Sequence, residues 1–162
     1  MNKKTICIAV GFFLVSCASV KHMEHMDTEE RANVTFGGLA VDGSYMVSVV
    51  GYGLSYDAVI EDAKKKAVST VLFEGLKSSK NGMASTKPMV PDTTAKKHHS
   101  FFSDFFTNGS YQRFVTLTPG SSPFLIKSGK INKSTVAITV HKDALRKELE
   151  AKQIIPSLST VF

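Results

Sequence analysis

Histidine pairs are the first residues of this chain whose type and spacing could support chemistry. His22 and His25 are spaced for one face of a helical turn, a spacing that metal sites use. His98 and His99 are adjacent, and Asp104 follows as a further possible ligand. Both pairs lie in polar stretches, whereas a preformed metal site needs rigidly held ligands. We therefore expect solvated histidines and no metal.

The glycines of Gly51-Tyr52-Gly53 precede a predicted helix, whose N-terminus could hold an anion. Tyr56 stands where a dinucleotide-binding motif has its third glycine, and no Lys-Ser or Lys-Thr of a phosphate-binding loop follows. A tight turn between a strand and a helix explains the glycines better. We expect no nucleotide and no other cofactor.

Motifs for acid–base or nucleophilic catalysis are absent from the sequence. The carboxylates Asp57, Glu61 and Asp62 fall in the first half of a predicted helix, where they suit the helix dipole. A spacing of four residues pairs the last two with Lys65 and Lys66. No Gly-x-Ser-x-Gly elbow supplies a serine nucleophile. We expect a protein that is not an enzyme, and an active site assembled from distant residues is the alternative.

Cys17 follows a basic start and a short apolar run from Thr5 to Val15, which predicts a secretory signal because the run is too short to cross a bilayer. The preceding residues make the sequence Leu-Val-Ser-Cys, which resembles the bacterial lipobox. That resemblance implies cleavage between Ser16 and Cys17 and attachment of diacylglycerol and palmitate to Cys17. Residues 1–16 are then a lipoprotein signal peptide, and Cys17 is a membrane anchor.

Lipidation at Cys17 would also determine the redox chemistry of the mature chain. The only other cysteine, Cys7, is removed with the signal, so no free thiol and no disulfide would remain. The formal net charge of +6 falls to +4 when Lys3 and Lys4 are removed. The remaining lysines are scattered and accompany no nucleic-acid-binding motif, so we expect no nucleic-acid partner.

Residues 17–32 are polar and are predicted to form a lipidated, flexible tether. In the enterobacterial sorting rule an aspartate beside the lipidated cysteine retains a lipoprotein in the inner membrane, and Ala18 occupies that position here. Lys21 and His22 stand where Bacteroides-type lipoproteins carry an acidic surface-export signal. We therefore expect anchoring in the outer membrane facing the periplasm, with surface exposure as the alternative.

Residues 33–162 are expected to form a single domain. Alternating and β-branched residues predict strands at 33–41, 45–51, 111–118, 124–127 and 136–140. Apolar spacing predicts a helix from the N-cap Ser55 to about Phe73, with Gly75 as its C-terminal cap. A last helix is predicted from 144 to about 152, capped by Asp143.

The order of these elements predicts an α+β fold. We expect an antiparallel, or mixed, sheet of about four strands, with two main helices on one face and a short aromatic helix in an insertion. A long polar loop is predicted at about 77–100, because this stretch carries two prolines and many polar residues.

Four phenylalanines and three lysines are the candidate contact residues. Spacing places the rings on one face of a short helix, where they either fill the core or form a partner-binding patch. The three lysines form the second candidate surface. The seven residues are Phe101, Phe102, Phe105, Phe106, Lys64, Lys65 and Lys66.

A family resemblance concerns two stretches of the chain. Val49-Val50-Gly51-Tyr52-Gly53, followed by an alanine-spaced helix, resembles the start of LPP20-like lipoproteins and of the amino-terminal domain of the flagellar assembly protein T. The strand and helix from Val136 to Glu150 resemble the end of the same domains. The resemblance implies a small α+β envelope module that binds or builds structures, with no catalytic residues to transfer. The long insertion at 77–100 departs from that pattern.

Asp92-Thr93-Thr94 resembles the O-glycosylation site of Bacteroides-type periplasmic proteins, which makes Thr93 a candidate for glycan attachment.

The sequence thus predicts a non-enzymatic lipoprotein of the outer membrane that binds an envelope protein or peptidoglycan. A small apolar-ligand carrier, with the phenylalanines lining a pocket, is the alternative, and an envelope hydrolase is a weaker one. A carrier should contain a closed apolar cavity. A binding module should have a filled core and exposed apolar residues.

Overall fold

An antiparallel sheet of five strands and four α-helices make up the described part of the chain, which comprises residues 34–77 and 85–157 of the computed structural model. The α+β prediction is therefore confirmed. The signal, Cys17, the tether and the first histidine pair lie outside the described residues.

The elements have the following bounds. They are β1 (Val34–Leu39), β2 (Tyr45–Gly53), α1 (Tyr56–Phe73), α2 (Asp92–Lys97), α3 (His99–Thr107), a 3₁₀ helix (Ser110–Phe114), β3 (Val115–Leu117), β4 (Ile126–Ser128), β5 (Ile131–Val140) and α4 (Lys142–Ala151).

Strand β5 organises the sheet, whose order is β1-β2-β5-β3, with β4 also paired to β5. One edge of β5 pairs with the whole length of β2. The other edge pairs with β4 at the start of β5 and with β3 at its end. At one end of the sheet Gly53 lies opposite Asn132, beside the β4–β5 turn, and we call this the hairpin end. At the other end Tyr45 lies opposite Val140, and we call this the histidine end because His141 follows.

Helix α1 packs against one face of the sheet and encloses the core. Ser55 caps it as predicted, because the Ala58 N–H donates to the Ser55 hydroxyl at 3.2 Å. Gly75 ends it with a positive φ of 75°, and its N–H donates to the carbonyl of Thr70 at 2.8 Å. Alternate residues of β2 and β5 are buried on the face beneath α1, and Leu145 of α4 is buried in the same core.

Several boundaries differ from the sequence prediction: β2 continues to Gly53, β4 spans Ile126–Ser128, and β5 begins at Ile131. The stretch predicted as a polar loop contains α2 and the start of α3, because Pro91 holds φ at −63° just before Asp92 begins the first turn. The strand predicted from 111 begins as a 3₁₀ helix, and only 115–117 pair with β5. The prediction of Asp143 as a helix cap is wrong: His141 is the N-cap of α4, and Asp143 lies in its first turn.

The face of the sheet away from α1 carries polar side chains that are open to solvent. Ser48 of β2, Thr135 of β5 and Thr116 of β3 point to this face and are exposed. The side chains of a strand alternate between the two faces, so the same strands supply both the core and this surface.

Candidate functional site

The phenylalanine cluster of α3 belongs largely to the core. Phe102 is 0% exposed and Phe105 is 3% exposed. The ring of Phe102 lies edge-on to that of Phe73, with 4.9 Å between centroids, and Phe105 stacks on Phe114 at 6.0 Å. The contact role considered for Phe102 and Phe105 is therefore wrong, because packed rings leave no surface for a partner. Phe101 and Phe106 are half-buried and pack on the same core.

Lys66 is buried and does not contribute to a basic contact surface. Its side chain falls on the buried face of α1 and is held there by polar and aromatic groups. The Lys66 ammonium lies 2.8 Å from the carboxylate of Asp62, 3.5 Å from the carbonyl of Val50 and 4.6 Å from the ring centroid of Tyr52. Lys64 is half-buried and Lys65 is exposed. Because Lys66 is buried, only Lys64 and Lys65 remain of the predicted three-lysine surface.

Asp62 and Lys66 bond to the part of β2 that extends beyond β1. The described pairing of β1 with β2 begins at Val34 opposite Val49. Beyond that point the N–H of Tyr52 donates to the carboxylate of Asp62 at 2.8 Å, and the carbonyl of Val50 accepts from Lys66. Side chains of α1 therefore satisfy backbone groups that could otherwise pair with another strand.

Gly51 and Gly53 allow α1 to approach β2 closely. A Cβ atom on Gly51 would lie 2.2 Å from the carbonyl oxygen of Val59, and one on Gly53 would lie 2.7 Å from the side chain of Ala58. Such distances are far below van der Waals contact, so no other residue fits without a shift of the backbone. The glycines therefore have a packing role, as the strand-to-helix interpretation predicts.

Glu61 interacts with the 3₁₀ helix. Its carboxylate accepts from the amide of Gln112 at 3.0 Å and from the hydroxyl of Tyr111 at 3.5 Å. Burial raises the pKa of Tyr111, with a smaller contribution from the negative charge of Glu61. These bonds connect the exposed side of α1 to the segment that leads into β3.

A polar cluster lies at the histidine end of the sheet. The Ser44 hydroxyl donates to Asp42 at 3.0 Å and lies 3.0 Å from Nδ1 of His141, whose Nε2 is 3.5 Å from the hydroxyl of Thr116. The backbone N–H of Ser44 also donates to Asp42 and lowers the pKa of that carboxyl. In a catalytic triad the histidine lies between the serine and the aspartate, whereas here the buried Ser44 lies between them. The cluster therefore ties the β1–β2 turn to the start of α4.

The remaining predicted residues lie at separate places. Thr93 is exposed in the first turn of α2, where a glycan would be accessible. His98 ends α2 and His99 begins α3. Among residues 34–77 and 85–157, no three His, Cys, Asp or Glu side chains are grouped so that they could hold a metal ion.

A cavity of about 280 Å³ lies at the C-terminal end of α1. Its walls are Val34, Thr70, Phe73, Glu74, Gly75, Lys77 and Asp92. The hydroxyl of Thr70 is buried there without a hydrogen-bond partner. Because most of these walls are polar and Phe73 is their only ring, this cavity differs from the apolar pocket lined by α3 that the carrier hypothesis predicts.

The hairpin end carries a group of exposed apolar side chains. Leu54 lies in the β2–α1 turn and Tyr56 begins α1, while Phe124 lies two residues before β4, and Ile126 and Ile131 lie on the paired strands β4 and β5. These side chains are between 39% and 80% exposed. The two segments are joined by a hydrogen bond from the Asn132 amide to the carbonyl of Leu54 at 3.1 Å. We define the hairpin surface as Leu54, Tyr56, Phe124, Ile126 and Ile131.

Lysines accompany the hairpin surface. Lys127 and Lys130 are exposed on the hairpin, and Lys133 of β5 is half-buried. The sequence contains no acidic residue between Asp104 and Asp143. This absence of acidic residues, together with the apolar run Phe124-Leu125-Ile126, could have indicated the hairpin surface from the sequence. The run was not recognisable as a surface because it also has the composition of a core strand.

No protein-family model, curated protein or solved structure matches this chain. Of the helices in the described residues, none has the length and apolar character that crossing a membrane requires.

Proposed function

We propose that this chain is a lipid-anchored protein of the bacterial outer membrane whose periplasmic domain binds another envelope component without catalysing a reaction. The lipobox-like sequence ending at Cys17 supports the anchor. The resemblance to LPP20-like lipoproteins supports a module that binds or builds envelope structures.

The observation that carries the binding function is the hairpin surface. The core is filled by interlocking rings and aliphatic side chains, and the exposed apolar residues at the hairpin end lie outside it. Single exposed apolar residues are ordinary, whereas several on adjoining elements favour an interaction site. Five of the exposed apolar residues belong to the hairpin surface, and two, Leu39 and Val41, lie at the histidine end. We therefore assign the proposed contact surface to the hairpin end and not to α3, which the sequence predicted first.

The alternatives receive less support from the geometry. A hydrolase of the serine type would need His141 between Ser44 and Asp42, and Ser44 lies between the other two. A carrier would need an apolar pocket beside the phenylalanines of α3, where Phe102 and Phe105 are closely packed.

Site-specific photocrosslinking in the native host tests the proposal. A photoreactive phenylalanine analogue replaces Phe124 in the full chain, and the matched control carries it at Val41, which is exposed at the histidine end. We expect an adduct from position 124, either to a protein or to phospholipid, and none from position 41. Equal adducts at both positions, or none at either, would contradict a contact role for the hairpin end.

The anchor is tested in the same cells with a clickable fatty acid. We expect labelling and membrane fractionation of the full chain, and loss of the label in Cys17→Ala. A wild-type chain that stays unlabelled and soluble would refute the lipoprotein assignment.

A further inference from the structure

We propose that the hairpin surface docks on an anionic lipid bilayer, so that the domain lies against the membrane that anchors it. The proposal rests on the lipid anchor proposed above. It names as the partner a phospholipid surface with negatively charged headgroups.

The residue types of the hairpin fit such a surface. Exposed Phe124, Ile126 and Ile131 can enter the boundary between headgroups and acyl chains, while Lys127 and Lys130 contact the phosphates. Within the described residues, none of the hairpin lysines forms an ion pair that would have to be broken first. Asp57, in the first turn of α1, directly follows Tyr56 and is the acidic residue closest in the chain to this surface.

The register of the hairpin places apolar and basic side chains side by side. Ile126 lies opposite Lys133 on the paired strand. Ile131 lies two residues before Lys133 on β5, so the three share the sheet face turned away from α1. Tyr52, which lies opposite Lys133 on β2, extends this row. A charged residue beside apolar ones on one face is the arrangement of an interfacial membrane contact.

The chain that follows the proposed anchor at Cys17 enters the domain at the end of β1 that lies nearer to the hairpin end. Strand β1 runs antiparallel to β2, so its first residue, Val34, is the end of β1 nearer to the hairpin end. Sixteen residues, 18–33, separate Cys17 from Val34. A chain of that length reaches at most about 60 Å, so the domain is confined near the bilayer. The confinement raises the effective concentration of lipid, and a modest intrinsic affinity suffices for docking.

The placement of the hairpin lysines favours a bilayer over an acidic protein. Lys130 lies in the turn beside Gly129, whose φ is 65°. Lys127 and Lys133 lie on the two paired strands, and the register places them on opposite faces of the sheet. The headgroups of a fluid bilayer can surround charges that face several directions, whereas a protein partner would need acidic residues on several sides.

Vesicle co-sedimentation of the mature polypeptide without its lipid, residues 18–162, tests the proposal. This chain contains every described element. We expect it to bind vesicles of phosphatidylcholine mixed with phosphatidylglycerol, to bind vesicles of phosphatidylcholine alone more weakly, and to be released by salt.

Two variants with matched controls locate the contact. The variant Lys127→Gln/Lys130→Gln/Lys133→Gln should lose at least about tenfold in affinity. The control Lys96→Gln/Lys97→Gln/Lys147→Gln removes the same charge from α2 and α4 and should change affinity by less than about twofold. Phe124→Ser should weaken binding, whereas Val41→Ser should not. Unchanged thermal unfolding shows that each variant is folded.

The outcomes separate this proposal from the proposed function. Absence of vesicle binding, or equal losses in the hairpin and control lysine variants, overturns bilayer docking. If vesicle binding is absent and position 124 crosslinks a protein in cells, the bilayer is the wrong partner and the binding function survives. If vesicle binding and crosslinks are both absent, both fail.

Discussion

Replacing Phe102 by alanine should destabilise the domain strongly, because this ring is part of the core and not of a contact surface. Its side chain is 0% exposed and lies edge-on to Phe73 and Phe101, with centroid distances of 4.9 and 5.2 Å. Truncating a buried phenylalanine costs about 3–5 kcal/mol through lost transfer energy and the cavity left behind. The two edge-to-face contacts, each worth about 0.5–1.5 kcal/mol, favour the upper half of that range.

Urea and thermal unfolding of residues 18–162 would measure the effect. A loss of about 4 kcal/mol is a large fraction of the stability of a typical domain and lowers the Tm by more than about 10 °C. Phe124→Ala is the matched control, since it removes the same ring from a side chain that is 80% exposed, and it should change stability by less than about 0.5 kcal/mol. A loss below about 1 kcal/mol for Phe102→Ala, or equal losses for both variants, would refute this assignment of core and surface.

Two further predictions concern α1 and β2. Gly51→Ala should cost about 1–3 kcal/mol in a denaturant titration, because its Cβ would lie 2.2 Å from the backbone of α1, and unchanged stability would refute the close approach. Lys66→Ala should cost about 1–3 kcal/mol in the same assay, because it leaves the carbonyl of Val50 and the carboxylate of Asp62 short of a partner. Lys65→Ala, on the exposed side of the same turn, should change stability by less than about 0.5 kcal/mol, and equal effects of the two would contradict the burial of Lys66.

Local sequence patterns predicted much of the fold. The helix capped by Ser55 and ended by Gly75 was predictable because capping and apolar spacing act within a few residues. The strand around Val136–Val140 was predictable from its β-branched alternation. By contrast, the 3₁₀ helix at Ser110–Phe114 carries apolar residues that also suit a strand, and only its packing against α1 and α3 selects the helical turn.

The candidate site was less predictable than the fold. Lys66 was assigned to the surface by its charge, and its burial depends on Asp62 and on the carbonyl of Val50, sixteen residues away. Phe102 and Phe124 are the same residue type in apolar runs, yet one is in the core and the other is exposed. Which apolar run packs into the core and which stays exposed depends on long-range contacts that the local sequence does not reveal.

The sequence by itself determined the features whose causes are local: the caps of α1 and the alternating strands of an α+β domain. It also carries the lipobox-like residues that end at Cys17, from which the anchor is proposed. Only the tertiary structure decided where the exposed apolar residues gather. Leu54 and Ile126 come to the same end of the sheet because β2 and β4 pair with opposite edges of β5. That juxtaposition depends on long-range strand pairing, which no short stretch of sequence encodes.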